Sequence, residues 1–519
     1  MSRRMFTANT GAELAKLLAK DNRPVGVAVD DRALVIAVGG YAFRSLRNRA
    51  TASIMASLLR KSGRNAWTVE PMHTTATALH ELDPEFDVNS LRNATAAEAA
   101  VVGDPELRLA GNRQETEKVS AEVMARLAAS TAASFSGMTP ELRAVALKAV
   151  ELDRVWRSRV VDGWCADHDM LMDATETARN EHARLQAQNG IDLSDTTSPE
   201  GITIVVRWLA AAGVHPVENL RPSLSDRALE GLPQFTDAEA TRRVAVLREA
   251  KHLSRTATTF GTLRRSYSAG RVHAELRLFA ASTGRTSIRR ASIQNITRSK
   301  RGVLKARPGH VLVSVDLSQA EVRIAAGLSQ DSALLRALEG DVYSETAKQI
   351  FAVDEVTPEQ REAAKKVTLA VLYGMGVATL AAQLKVGRDE AKRIFDGFWL
   401  AYPVLKAYTD GLKKSTGVSH LTTTLSRPIA AVAPGKSYRA LNSRVQGEAS
   451  DVLQVRAVAV ADVLGQSALW LQLHDELIVE VTPERVPEAL AALELMLTPF
   501  EGVPMTGVPT VLGPRWTKG

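Results

Sequence analysis

Val311-Leu312-Val313-Ser314-Val315-Asp316-Leu317-Ser318-Gln319-Ala320-Glu321-Val322-Arg323 is a β-branched run that ends in a carboxylate and then turns polar. The alternation predicts a strand closing at Asp316, with a helix starting soon after. A second such run, Leu471-Gln472-Leu473-His474-Asp475-Glu476-Leu477-Ile478-Val479, is a Leu/Val/Ile hairpin interrupted by three polar residues. Alone, Asp316 would be read as a helix N-cap and His474-Asp475-Glu476 as a plain turn. Together they place two carboxylates at strand ends, where hard oxygen ligands can hold divalent cations. The flanking Leu471, Leu473, Leu477, Val479 and Val481 set a register that lays one face of the turn against buried structure.

Between the two runs lies Arg361-Glu362-Ala363-Ala364-Lys365-Lys366-Val367-Thr368-Leu369-Ala370-Val371-Leu372-Tyr373-Gly374. Arg361, Lys365, Leu369 and Tyr373 recur every fourth residue and share a helix face. A solvated face would explain the two cations but not Tyr373 followed by Gly374-Met375-Gly376. The order charge, charge, apolar, aromatic hydroxyl suits a nucleotide, with phosphates at the basic end. Paired carboxylates and a basic helix are the equipment of nucleotidyl transfer.

The chain has 519 residues and a net charge of +7. Between Glu249 and Asp316 fourteen Lys and Arg stand against one acid, Glu275, so this window carries +13 and the remainder −6. A solvated face usually mixes signs, and this one-sided excess favours a polyanion. No run approaches 18 apolar residues and the start, Met1-Ser2-Arg3-Arg4-Met5-Phe6, has no apolar signal core, so a cytoplasmic protein without a membrane partner is expected. The lone Cys165 excludes an intramolecular disulfide and reads as a small core residue.

Residues 1 to 140 read as a separate small α/β domain, opening with a hairpin (Val25 to Val29, Ala33 to Val38) and continuing in Ala-rich helical stretches at 96–102 and 119–133. Helices are expected at 140–156, 170–189, 198–213 and 238–263. They are further expected almost continuously over 332–408 with one break at 353–358, and again at 441–464 and 486–497. Residues 418–437 read as irregular.

These segments resemble motifs A, B and C of the DNA polymerase I family, the family A DNA polymerases. Gly270-Arg271-Val272-His273, Ser282-Thr283-Gly284-Arg285-Thr286-Ser287, Ile293-Gln294-Asn295-Ile296, Ala440-Leu441-Asn442, Val445-Gln446-Gly447 and Trp516 extend the resemblance, in order, over roughly residues 145 to 519. It implies an α+β right hand: a palm with an antiparallel sheet (about 266–330 and 436–519), helical fingers (about 331–435) and a thumb (about 185–265).

The resemblance further implies that Asp316 and Asp475, with the Leu317 carbonyl, ligate two Mg²⁺, with Mn²⁺ as a substitute, and that Glu476 belongs to the catalytic set. Arg361 and Lys365 would grip the triphosphate, Lys365 also donating a proton to pyrophosphate. Gln319, Tyr343, Leu369 and Tyr373 would line the nucleotide, and Glu321 would form a gate against a ribose 2′-OH. Arg285, Gln446 and His474 would read the minor groove at the primer end, with Arg271, Gln294, Asn295 and Asn442 also on the DNA. The implied activity is template-directed DNA synthesis on primer-template DNA with dNTPs, by a monomer, in replication.

Two positions depart from the family. Leu369 replaces the usual aromatic, keeping bulk but losing the flat face; some phage members share it. Tyr343 stands where His usually contacts the triphosphate. The first strands hold Val29-Asp30-Asp31-Arg32 and no Asp-x-Glu, and Asp83, Asp87 and Asp104 do not complete an exonuclease pattern, so no proofreading is expected. Small size, the missing nuclease and Leu369 point towards a phage source over a bacterial one. A single-subunit RNA polymerase shares the layout, but Glu321 closes the space a ribonucleotide needs. A silent nucleic-acid-binding scaffold would have no use for paired carboxylates.

Overall fold

The computed structural model describes residues 158–517 apart from 219–220, 231, 233–234, 279–280, 282, 416–420, 430–431 and 433–434, together with short segments ahead of them. Those segments include six strands, β1 (Ser2–Met5), β2 (Val25–Asp30), β3 (Ala33–Val38), β4 (Tyr41–Arg44), β5 (Ala66–Thr68) and β6 (Leu91–Asn93). They form one mixed sheet in the order β1-β4-β3-β2-β5-β6. The expected hairpin is β2–β3, antiparallel from Gly26↔Ala37 to Asp30↔Ala33, with Val25, Val27, Leu34 and Ile36 buried at alternate positions. The stretches 96–102, 119–133 and 140–154, and Asp83, Asp87 and Asp104, lie outside the described residues.

The main body is built on a four-stranded antiparallel sheet of β7 (Val311–Asp316), β8 (Leu469–Leu473), β9 (Glu476–Val481) and β10 (Thr510–Gly513), ordered β8-β9-β7-β10. β8 and β9 are buried along their whole length. The turn between them, expected to lay one face against buried structure, has His474 exposed and Asp475 half-buried. A buried ion cluster locks the sheet to the segment before it. Glu480 accepts from Arg159 over 2.7 Å and from the Arg307 guanidinium over 2.8 Å. Trp164 Nε1 donates to the Trp470 carbonyl over 2.7 Å, and Trp470 meets Trp516 edge-on. Cys165 is buried beside them, as expected.

Helix α1 (His168–Asn189) is capped by Asp167 and ended by left-handed Gly190. α2 (Pro199–Ala210) carries Ser198 as its N-cap. α1 packs along α3 (Ala238–Arg265). After β7 come α4 (Ala320–Ser329), α5 (Ser332–Ala337), α6 (Val342–Phe351), α7 (Pro358–Leu372), α8 (Val377–Leu384), α9 (Arg388–Ala401) and α10 (Pro403–Ser415). The single break expected over 332–408 is thus several. Asp341 caps a new helix, α7 gives way at Tyr373 to the left-handed Gly374, Gly376 starts α8, Gly387 starts α9 and Pro403 opens α10. α11 (Ala440–Leu464) and α12 (Val486–Leu493) pack on each other, and α12 also packs on β7 and β9. Among the described residues no helix is long and apolar enough to cross a membrane.

Candidate active site

The antiparallel register sets Asp316 at the end of β7 opposite Glu476 at the start of β9. The two-residue turn His474-Asp475 leads into β9, and His474 takes a positive φ of 54°. Gln319, three residues after Asp316, also adopts the left-handed conformation (φ 56°, ψ 32°). Non-glycine residues held there cost on the order of 1 kcal/mol or more and gather where a site fixes geometry. The Leu317 N–H donates to the Asp475 carbonyl over 3.1 Å. Ser318 N–H donates to the Thr506 carbonyl over 2.7 Å, and a Cβ added to Gly507 would meet the Asp316 carbonyl oxygen at 2.6 Å. Only a glycine lets that segment support the Asp316 backbone so closely.

Asp316 is exposed, whereas burial pushes the Asp475 carboxyl up to about 6, with Glu321 and Asp316 adding to the shift against the charge of Arg285. His474 is held below its ordinary value by desolvation and by the charges of Arg285 and Arg301. Glu321 is buried in α4 and accepts from Arg285 Nη2 over 2.5 Å. The Tyr373 hydroxyl is pushed up to about 12 by burial, by the Glu321 charge and by a hydrogen bond to it, with Asp475 contributing. Arg285, Glu321, Tyr373 and Asp475 therefore form one electrostatic neighbourhood.

α7 begins in a capping box of Thr357 and Gln360 with Pro358 in the first turn. Arg361, Lys365 and Leu369 share its face, and Tyr373 is the capping residue just past its end. Gly374 (φ 67°) packs under Tyr438, whose carbonyl an added Cβ would meet at 2.4 Å. Arg361 forms a bidentate pair with Asp341 at 2.8 and 2.9 Å. Tyr343 is almost fully buried beneath that guanidinium. Lys365 makes no ion pair among the described residues. Leu369, Tyr373 and Met375 line one side of a cleft of about 950 Å³ whose other side is Phe235, Thr241 and Val244.

The Arg285 segment is held from behind by buried Arg427. Its guanidinium donates to Asp451 over 2.6 Å, to the Thr283 carbonyl over 3.1 Å and to the Gly447 carbonyl over 3.0 Å. Ser450 Oγ donates to the Gly284 carbonyl over 2.7 Å. A cavity of about 170 Å³ then brings together Arg285, Thr286, Gln294, Gln472, His474 and Asp475. Buried Thr286 Oγ1 and Gln472 Oε1 have no hydrogen-bond partner there.

Gln294 spends its amide on the Ile288 N–H (3.0 Å) and the Thr286 carbonyl (3.4 Å), so it shapes this wall. Asn295 is exposed at the end of a short 3₁₀ turn, and Asn442 and Gln446 share a half-buried face of α11. Arg271 is elsewhere: it lies in a separate three-stranded sheet with its guanidinium on the Asp162 carbonyl over 3.3 Å. Asp341, Arg427 and Gly507 were not singled out by the sequence. Asp341 follows Gly340 as a plausible N-cap, while Arg427 and Gly507 sit in irregular stretches that carry no periodic signal.

Among the described residues no three His, Cys, Asp or Glu come together as a ready-made metal cage. The donor set is instead two carboxylates beside main-chain carbonyls, all hard oxygens, which fits a cation that keeps water and substrate phosphate in its shell.

Residues 177–518 match the family model for DNA polymerase family A. The chain is 33% identical over 241 residues to DNA polymerase I of Caldicellulosiruptor bescii, covering 42% of this chain and 28% of that protein. It is 29% identical over 317 residues to DNA polymerase I of Aquifex aeolicus, covering 57% and 54%. To the thermostable DNA polymerase I of Thermus aquaticus it is 32% identical over 263 residues, covering 46% and 31%. The chain thus spans between about a quarter and a half of these relatives' length. A solved structure of the POL domain of Pol1 from M. smegmatis, in complex with DNA primer-template and dNTP, superposes with a TM-score of 0.77 at 21% identity, covering 99% of each chain.

Proposed function

We propose, from the premise that this chain belongs to DNA polymerase family A, that it is a template-directed DNA polymerase extending a primer 3′-OH with dNTPs. The observation that carries the reading is the pair Asp316 and Asp475, held at neighbouring strand ends by the Leu317–Asp475 main-chain bond. Asp475 is coupled electrostatically to Asp316 and Glu321 on one side and to Tyr373 on the other.

In this reading Asp316 and Asp475, with the Leu317 carbonyl, hold divalent cations, Mg²⁺ first and Mn²⁺ as a substitute. When bound, such cations lower the pKa of an attacking hydroxyl and neutralise charge on the departing pyrophosphate. The protein's own groups do the rest. Arg361 and Lys365 bind the triphosphate, and Lys365 holds a proton within reach of the leaving pyrophosphate. Leu369 and Tyr373 take the base and sugar, with Gln319 on the same side. Glu321, fixed between Arg285 and Tyr373, closes the place a 2′-hydroxyl would occupy, which disfavours the RNA polymerase alternative. Arg285, His474 and Gln446 hold the primer end, with Asn295, Asn442 and the basic window on the duplex. Swinging of α7 over a matched pair would complete the site. The palm comprises the β7–β10 sheet, the fingers α5–α10 and the thumb the region around α3.

We also propose that the chain does not proofread, because β2 runs from Val25 to Asp30 without a second acid to pair with Asp30. A labelled primer on a longer template, with Mg²⁺ and dNTPs, tests both readings. Template-length extension, with a 3′-mismatched primer left intact when dNTPs are withheld, is the expected result. Shortening of the mismatched primer would overturn the second reading. No extension would overturn the first and favour a binding scaffold.

A further inference from the structure

Arg361 rises from the first turns of α7 with its guanidinium directed at the start of α6. Nε donates to one oxygen of Asp341 over 2.8 Å and Nη2 to the other over 2.9 Å. The Tyr343 ring centre lies 5.6 Å from Cζ. A bidentate carboxylate thus grips one edge of the planar group and an aromatic ring supports it. Nη1 has no hydrogen-bond partner among the described residues.

Asp341 is itself fixed. It is the N-cap of α6, accepting from the Ser344 N–H over 3.0 Å and from the Ser344 hydroxyl. Arg361 first and Ser344 next hold its carboxyl down at about 2, so it stays anionic. A long Arg side chain in water samples many rotamers, and a ligand that must gather it in loses affinity. Here the gathering is done before any ligand arrives.

Resting on the polymerase reading, we propose that Asp341 is a positioning residue for nucleotide binding: with Tyr343 it fixes the Arg361 fork and leaves Nη1 as the edge offered to a triphosphate oxygen. The rival is that the carboxylate occupies the phosphate's own place and has to be displaced. The shared duty of Asp341 as a helix cap favours the first: the pair is solvent-accessible, but the Ser344 N–H and hydroxyl hold the carboxylate in place at the start of α6. It also gives Tyr343 a task in this chain, as the floor under Arg361.

The test is a double-mutant cycle of Asp341→Asn and Arg361→Ala, read as KM for dNTP and kcat in primer extension. Asparagine caps a helix as well as aspartate does, so an unchanged thermal midpoint checks that α6 is intact. Asp341→Asn is expected to raise KM about 3- to 10-fold with kcat within about twofold, and to add nothing once Arg361 is alanine. A fall in KM would mean that Asp341 competes with phosphate, and an equal effect in the Arg361→Ala background would mean that it does not act through Arg361. Either outcome overturns the proposal. A wild type that fails to extend would sink the polymerase reading alone, since the same cycle can be read as dNTP affinity by titration calorimetry.

Discussion

Leu317 and Asp475 share a main-chain hydrogen bond of 3.1 Å, so the segments carrying the two candidate metal-binding carboxylates are tied outside the regular β7–β9 ladder. The bond needs neither side chain, which leaves both carboxylates open to substitution without unpicking the sheet. Asp475 is moreover a group that burial and the like charges of Glu321 and Asp316 disfavour as an anion. Asp475→Asn should therefore fold at least as well as wild type. Extension should fall by about 10³-fold or more, if the carboxylate contributes several kcal/mol to the transition state. Rapid-quench extension alongside a thermal melt checks this, and a melt lowered in step with activity would point to a structural role instead.

Gly507 carries a second prediction. Its missing Cβ lets the Thr506–Gly507 segment lie against the Asp316 carbonyl, which an alanine methyl would meet at 2.6 Å. Something has to shift, and the contacting atom is backbone. Gly507→Ala should cost about 1–3 kcal/mol of stability and, by moving Asp316, reduce kcat by about 10- to 100-fold. Primer extension below the melting range is the measurement; unchanged kcat would show that Asp316 tolerates the displacement.

The palm sheet and its carboxylates were legible because a β-branched run ending at Asp316 announces a strand and its end, and the apolar runs flanking His474-Asp475 announce a hairpin, which antiparallel pairing leaves few ways to join. The face of α7 was legible from its four-residue spacing. Arg427 and Gly507 were not, since each acts only through long-range contacts from an irregular stretch. Asp341 was hidden differently: the sequence shows a possible cap, but its bidentate hold on Arg361 exists only once α6 and α7 pack. Arg271 and Gln294, read as DNA contacts, have their side chains engaged with protein groups. The breaks between α5 and α10 were visible as Gly and Pro, yet the surrounding helical periodicity masked them.

Glu480 should set the acid limit of the fold. Burial alone would raise its carboxyl, but Arg159, the Arg307 N–H and the Arg307 guanidinium hold it below the ordinary carboxylate range. With the folded pKa depressed, its contribution is present above the unfolded value of about 4.3 and is lost as pH falls through the folded one. Glu480→Gln strands two Arg side chains and should cost about 3–5 kcal/mol at pH 7. The cost should shrink as pH drops below about 4. Denaturant melts of both proteins from pH 7 to pH 3 would show the curves converging; parallel curves would mean that another group governs acid unfolding.

Leu369, read from the sequence as a departure from the family pattern, is proposed to lie against the nucleotide. The side chain is half-buried on α7 and faces the cleft of about 950 Å³ together with Tyr373 and Met375, so a phenyl ring has room there without overpacking. A flat face against a base is worth about 0.5–1.5 kcal/mol beyond area burial, a gain that leucine forgoes. Leu369→Phe should therefore raise kcat/KM for dNTP about 2- to 10-fold and alter discrimination against dideoxynucleotides. Single-nucleotide incorporation with matched dNTP and ddNTP measures both. Unchanged kinetics would mean that the base does not lie along this face, and that the phosphate grip of Arg361 and Lys365 sets affinity without help from stacking.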